Sequence, residues 1–181
     1  MPKSNRPNLI ISVAMENDAE ELARLVNSAY RGPSSRVSWT TEADFLDGQR
    51  TDAQMLLENI RTPGCSILCL RFKIGAEIQG CVFLERNEDS CCLGMLTLKP
   101  TLQGEGLGSL LLQKAEEYIR AQGVKRVILQ VIHLRDTLMA WYEQRGYRRT
   151  GEIEPFPYGN PRFGIPLRDD LHFINFEKIL E

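Results

Sequence analysis

The feature that most constrains this chain is the segment Gln103-Gly104-Glu105-Gly106-Leu107-Gly108-Ser109, set between an apolar run ending at Leu98 and an amphipathic stretch from Leu107 to Gln122. In that stretch Leu107, Leu111, Ala115 and Tyr118 share one face while Lys114, Glu117 and Arg120 point elsewhere, which is the spacing of a helix. A strand, a short loop with alternating glycines and a helix therefore succeed one another. Glycines remove the Cβ atoms that would keep a ligand from the backbone. Their N–H groups join the unpartnered donors of the first helical turn in a nest for phosphate oxygens. The geometry predicts a pyrophosphate-bearing ligand. A Walker A loop would need Gly-Lys-Ser/Thr, and Gly108-Ser109-Leu110 lacks the lysine. A dinucleotide fingerprint would need G-x-G-x-x-G and an acidic residue ending the next strand, where Val131-Ile132-His133 stands.

The remaining patterns predict an α+β domain. Asn8 to Ala14 reads as a first strand and Glu16 to Tyr30 as a helix, with Ala19, Leu22, Ala23 and Val26 on one face and Gly32-Pro33 as its stop. A short helix is expected at Thr41 to Leu46 and a second full helix at Asp52 to Ile60. Strands are expected at Ser66 to Phe72, Ile78 to Leu84 and Cys92 to Leu98, with turns at Gly75 and Asn87-Glu88-Asp89. After the helix from Leu107 come a strand at Arg126 to Ile132, a helix at Thr137 to Gln144, a strand at Tyr147 to Ile153, a Pro/Gly-rich loop and a last strand at Leu171 to Ile179. The order β-α-α-β-β-β-α-β-α-β-β places helices against a central mixed sheet. With 181 residues, no repeat and no linker, residues 1–181 are read as a single domain, residues 1–7 being a disordered or loosely attached tail.

Charge and cysteine content narrow the function. A formal net charge of −2 and a pI near 5.8 leave no basic excess for phosphate neutralisation, so nucleic acid is not expected as a partner. The polar N-terminus has no apolar stretch behind it, and no run approaches the roughly eighteen residues of a membrane span, so no membrane partner is expected. The five cysteines are odd in number and lie in strand-like runs without zinc-ligand spacing. They read as reduced, buried thiols of a cytoplasmic protein that holds no metal.

A second motif joins the glycine loop. Gln103-Gly104-Glu105-Gly106-Leu107-Gly108 resembles the Gln/Arg-x-x-Gly-x-Gly/Ala motif of the GNAT superfamily of acyl-CoA-dependent N-acetyltransferases at every defined position. Ala140-Trp141-Tyr142-Glu143-Gln144-Arg145-Gly146-Tyr147 is similar to that family's closing helix, and Leu171 to Lys178 to its usual final strand. The resemblance covers nearly the whole chain, most firmly Leu93 to Tyr147. It implies a mostly antiparallel sheet in which the strand ending at Leu96-Thr97-Leu98 splays from its neighbour and pairs with the pantetheine arm of acetyl-CoA. Gln103, Gly104, Gly106, Leu107, Gly108 and Ser109 would then hold the pyrophosphate, and Tyr142 would lie beside the sulfur and donate to the departing thiolate. Free proton transfer from a phenol of pKa about 10 to a thiolate of about 8.5 is uphill, so a hydrogen bond that strengthens as charge develops is the better description. Without the glycine loop, Tyr142 would read equally well as a core aromatic.

The sequence departs from the family pattern in two places. Arg135 stands where the family carries a cofactor-contacting Asn; it either bonds a pantetheine carbonyl or phosphate or is a surface charge. The Cys92 to Leu98 strand lacks the carboxylate that some members use as general base. An amine of pKa about 10.4 must shed a proton at a cost of about 4.6 kcal/mol at pH 7. Glu85, His133, Asp170 and His172 are the candidates to receive it, and none is singled out. For the acceptor, Trp39, Glu42 and Arg50 provide a wall, an ammonium partner and a carboxylate partner, against the alternative that Thr40 or Thr41 caps a helix with Glu42 in its first turn. The expected acceptor is the primary amine of a small, amino-acid-like molecule, with the enzyme a monomer or homodimer. Acetylation of a protein lysine or N-terminus, a non-catalytic acyl-CoA-binding module and another phosphate-binding α/β protein are the alternatives.

Overall fold

The structure, a computed structural model, describes residues 9–181, so the expected tail at residues 1–7 and the Asn8 start of the first strand lie outside the described residues. In chain order the elements are β1 (Ile10–Val13), α1 (Ala19–Tyr30), β2 (Leu46–Asp47), α2 (Ala53–Arg61), β3 (Cys65–Arg71), β4 (Gly80–Arg86), β5 (Ser90–Leu98), α3 (Leu107–Ala121), β6 (Arg126–Ile132), α4 (Asp136–Glu143), β7 (Arg148–Pro155), β8 (Ile165–Pro166) and β9 (His172–Ile179). Seven strands form one sheet in the order β1-β3-β4-β5-β6-β9-β7, and β2 pairs with β8 apart from it. Every neighbouring pair is antiparallel except β5–β6.

The sheet is buried on both faces through its first half. On β3, Ile67 and Cys69 face Leu22, Val26 and Leu56 of α1 and α2, while Leu68 and Leu70 face Leu111 and Ala115 of α3. Alternate residues thus meet different helices, which is why β3 reads as an unbroken apolar run. Leu138, Met139 and Tyr142 of α4 extend the α3-side core beneath β6 and β9. A third cluster, Phe45, Leu46, Ile132, Phe156 and Leu171, lies under the connecting loops. Asp52 caps α2 by accepting from the Met55 N–H at 2.8 Å.

The junction of β5 and β6 shapes everything around it. The two pair in parallel only at Ser90–Arg126, Cys91–Val127 and Cys92–Ile128, although β5 runs on to Leu98 and β6 to Ile132. On its other edge β5 pairs with β4 through a register shift: Phe83 faces Gly94 but Cys81 faces Thr97, one extra residue on β5. Met95 lies in that bulge with φ +52°, a conformation sparsely used by non-glycine residues. Bulges bend and twist a strand, and past this one β5 has left β6.

Two expected elements differ. Thr41 to Leu46 is not a helix: a single turn closes on the Glu42 carbonyl, which accepts from Phe45 N–H and Leu46 N–H, and the chain then enters β2. Six residues are too few to repay helix nucleation, and Leu46 instead packs into the third cluster. The strand expected from Ile78 begins at Gly80, because the Ile78 N–H donates to the Glu21 carboxylate rather than to a neighbouring strand.

Gly80 sets the height of β5 above the sheet. A Cβ there would lie 2.7 Å from Leu98 Cδ2 and 2.8 Å from the Thr97 carbonyl oxygen. Gly80→Ala is expected to destabilise the fold by about 1–3 kcal/mol through overpacking, read as a lowered urea midpoint with unchanged m-value. An unchanged midpoint would show that β5 gives way without cost.

Candidate active site

The glycine loop forms as an open cradle. Gly104 has φ +89° and Gly106, at the N-cap of α3, φ +80°; a Cβ built on either would meet no atom within 4 Å. Both conformations favour glycine, and both glycines border open space. No side chain caps α3, so its first-turn N–H groups and its positive dipole end face that space. A phosphate fits such a cradle. Ser109 accepts from Arg145 Nη2 at 2.6 Å and Nε at 3.1 Å, and the Arg145 guanidinium lies 3.8 Å over the Trp141 ring, bringing a further positive charge to this helix end.

A narrow cleft runs from the loop to the gap between β5 and β6. Trp39, Thr40, Leu98, Gln103, Gly108 and Trp141 line it. Beyond the gap a cavity of about 660 Å³ opens on the other side. Tyr30, Leu96, Leu138 and Tyr142 line both spaces. Tyr142 is buried, with its ring edge-on to Trp141 and Tyr147. Burial pushes its phenol above the ordinary value, and no hydrogen bond to its hydroxyl is made among the described residues. Beneath it, Tyr147 donates to Glu116 at 3.0 Å and Glu116 is held by Lys178 at 2.8 Å, a buried brace across α3 and β9. Tyr30 donates to the Leu96 carbonyl at 2.9 Å, tying the splayed part of β5 to α1.

At the cavity's inner end lies a charged group. Glu42 is paired with Arg31 through one carboxylate oxygen and with Arg135 Nη1 at 3.2 Å through the other. All three residues are less than a tenth exposed. Burial alone raises the Glu42 carboxyl, but Arg135, Arg31 and Arg50 outweigh it and hold the group below the usual range. Arg50 and Arg135 also lie over the Tyr30 ring, 5.8 and 5.7 Å from its centroid.

The structure brings Glu42, Arg50 and Arg135 together at the cavity with Tyr142, and Gly104, Gly106, Gly108 and Ser109 together at the cradle. Three placements differ from expectation. Trp39 lines the cleft, not the cavity, with its backbone N–H donating to Gln103 Oε1 at 3.0 Å and its ring edge-on to Trp141. The Gln103 side chain faces the Ser38–Thr40 loop, donating to Ser38 Oγ at 2.8 Å. Glu42 is engaged on both carboxylate oxygens by arginines, so it is not open to an ammonium group.

None of the four candidate bases lines the cavity. Glu85 is exposed at the end of β4, His133 and His172 stack on one another 3.8 Å apart, and Asp170 pairs with Arg168. The carboxylates that do line it, besides Glu42, are Glu152 and Glu154 on β7. Sequence reasoning misses Tyr30, Arg31, Trp141, Arg145 and these two glutamates. Arg31 reads as a charge at a helix end, and Glu152 and Glu154 as the solvent face of an edge strand. Only Trp141 and Arg145, close to Tyr142 in the motif around α4, carry a signal that could have found them. Among the described residues no group of three or more His, Cys, Asp or Glu is arranged to hold a metal ion, and no helix is long and apolar enough to cross a membrane.

This architecture recurs in known proteins. The ribosomal-protein-S18-alanine N-acetyltransferase from Escherichia coli superposes with a TM-score of 0.69 at 15% identity, covering 96% of this chain and 94% of that one. The Salmonella typhimurium protein yncA, solved with its cofactor acetyl-CoA, gives 0.68 at 18% identity over 96% and 95%. In sequence, the uncharacterized protein YxbD of Bacillus subtilis is 32% identical over 105 residues, 52% of this chain and 65% of that protein, so the match spans somewhat under two thirds of the relative. Residues 19–147, from the start of α1 through the cradle to the Tyr147 that succeeds α4, match the Acetyltransferase (GNAT) family. The chain belongs to the acetyltransferase (GNAT) family.

Proposed function

We propose that this protein transfers an acetyl group from acetyl-CoA to the primary amine of a small molecule. The observation that carries the proposal is the division of the site at the β5–β6 gap. A glycine cradle and cleft lie on one side, a cavity of about 660 Å³ on the other, and Tyr142 lines both. That volume is in the range of small-molecule pockets, and its inner end is buried charge, which suits a small acceptor better than a polypeptide.

Bound acetyl-CoA supplies a thioester carbonyl as electrophile and a thiolate as leaving group. In this reading the N–H groups of the cradle and of the first turn of α3 hold the pyrophosphate, and the β5 edge from Leu96 to Leu98 presents backbone groups to the pantetheine amides. Trp39 and Trp141 wall the arm, and Gln103 fixes the Ser38–Thr40 loop beside it. Tyr142 donates a hydrogen bond to the sulfur as charge develops there. Transfer is direct from thioester to amine: Cys92 lines the cavity, but burial raises its thiol and leaves little thiolate to carry an acyl group. The acceptor amine loses its proton towards the open part of the cavity, where Glu152 and Glu154 stand.

Incubation with acetyl-CoA and a panel of amines is expected to release CoA with at least one small amine. Gly106→Ala, which places a methyl group in the cradle at φ +80°, is expected to weaken CoA binding at least about tenfold, or ~1.4 kcal/mol, with the fold retained by circular dichroism. Unchanged affinity by calorimetry would remove the cradle from the binding site.

Tyr142→Phe is expected to lower kcat by about ten- to a hundredfold, or ~1.4–2.7 kcal/mol, with little change in CoA affinity. Full turnover with a lowered melting temperature would make Tyr142 a packing residue only.

The pH profile depends on the same group. Because burial raises the Tyr142 phenol, it keeps its proton through and beyond the ordinary tyrosine range. The value of kcat/KM is expected to climb with pH as the amine deprotonates and to show no falling limb up to about pH 10. A falling limb between about pH 8 and 10 that disappears in Tyr142→Phe would contradict this role.

A further inference from the structure

We infer that the acceptor carries an anionic group next to its amine, a carboxylate as in a free amino acid, and that Arg31, Arg50 and Arg135 bind it. The inference rests on the acetyl-transfer reading above and adds the class of acceptor.

The charges at the inner end of the cavity do not balance. Three guanidiniums, of Arg31, Arg50 and Arg135, face one carboxylate, of Glu42, and two positive charges remain in excess. Arg31 is 5% exposed and Arg135 9%. Arg31 Nε and Arg135 Nη2 are buried with no hydrogen-bond partner. Arg50, which also lines the cavity, makes no ion pair among the described residues. Its backbone N–H is held by Asn27 Oδ1 at 2.7 Å, so its position is fixed from the main-chain side. Buried polar groups in native proteins are nearly always paired, and buried cations without counter-charge are costly. An unpartnered Arg135 nitrogen and an unpaired Arg50, on residues that line a single cavity, describe a receptor whose anion is supplied by the ligand. Arg31, whose Nε packs beside Gly164 and whose Nη2 reaches the Phe163 carbonyl, adds positive charge to it.

The other acidic side chains of the cavity do not supply it. Glu152 and Glu154 stand on β7, and Glu154 is opposite Phe173 of β9, itself opposite Ile132 of β6. Two strand spacings, roughly 10 Å, therefore separate them from β6. Glu154 accepts from Asn175 at 2.8 Å. Glu42 acts here as a positioning residue: each of its oxygens holds one guanidinium, leaving other N–H groups for the ligand. A carboxylate is planar and takes two parallel N–H bonds from a guanidinium, and the guanidiniums of Arg50 and Arg135 both lie against the Tyr30 ring.

The test compares each free amino acid with its own carboxamide and its decarboxylated amine, using CoA release from acetyl-CoA. The expected result is that the best amino acid exceeds its amide in kcat/KM by about a hundredfold or more, since a site built for hydrogen bonds rejects ligands that leave it unpaired. Arg50→Met is the variant of choice, because removing Arg31 or Arg135 would leave one oxygen of buried Glu42 unpaired and endanger the fold. It is expected to raise the amino-acid KM at least about tenfold, to collapse the acid-to-amide ratio and to leave acetyl-CoA affinity unchanged, with Arg50→Lys recovering part of the ratio. Equal use of acids, amides and simple amines, or a ratio unaltered in Arg50→Met, overturns the inference and leaves acetyl transfer standing. A preference for phosphonate over carboxylate analogues overturns the carboxylate assignment. Release from no amine at all, with acetyl-CoA still bound in calorimetry, overturns the small-amine reading and the inference with it.

Discussion

The early end of β5–β6 pairing is the constraint on which the rest depends. Three residue pairs join the two strands, and beyond them the middle of the sheet stands open. Backbone donors and acceptors left without a strand would ordinarily be a liability. Here Tyr30 takes the Leu96 carbonyl, and the rest of that edge borders the cleft and the cavity. The bulge with Met95 at φ +52° makes the opening a property of the backbone rather than of one side chain. Gly80, pressed against Thr97 and Leu98, keeps β4 close to β5 as the latter bends away.

Around that opening the chain distributes charge unequally. The cradle side offers N–H dipoles and one guanidinium stacked on Trp141, whereas the far side concentrates arginines about a single buried carboxylate. Such a carboxylate is a poor proton acceptor, because its neighbours hold it ionised. It is better understood as a fastener between the segment after α1 and the segment before α4. Arg31 and Arg135 both depend on it, so the wall of the cavity and the position of Tyr30 are set together.

Much of this is legible in the sequence, for reasons particular to each element. The cradle can be read because it works through backbone, and missing side chains leave their mark as glycines at fixed spacing. The two-sided burial of β3 and β4 can be read from unbroken apolar runs, and α3 from its 3.6-residue period. The charged group cannot be read so directly. Arg31 and Glu42 are eleven residues apart and Arg135 is ninety-three from Glu42, and nothing local distinguishes them from surface charges. Trp39 lines the cleft rather than the cavity because the segment after α1 passes both openings, and only the Gln103 contact shows which one it borders. The pair β2–β8 escapes notice because two residues cannot display an alternating pattern.

That pair has a bearing on how the cavity is reached. Leu46 and Asp47 meet Ile165 and Pro166 in two rungs, extended by the Leu167 N–H donating to the Phe45 carbonyl at 3.0 Å, and Leu46, Phe156 and Phe163 line the cavity together with the buried arginines. A clasp of two rungs between stretches more than a hundred residues apart in sequence has little local cooperativity, unlike the seven-stranded sheet beneath it. Its amides are expected to exchange through small, local openings rather than through global unfolding. Arg31 Nη2 reaches the Phe163 carbonyl at 3.4 Å, so an opening there removes one acceptor from a guanidinium that Glu42 still holds. The clasp and the guanidinium behind it are therefore mechanically linked, each helping to hold the other in place.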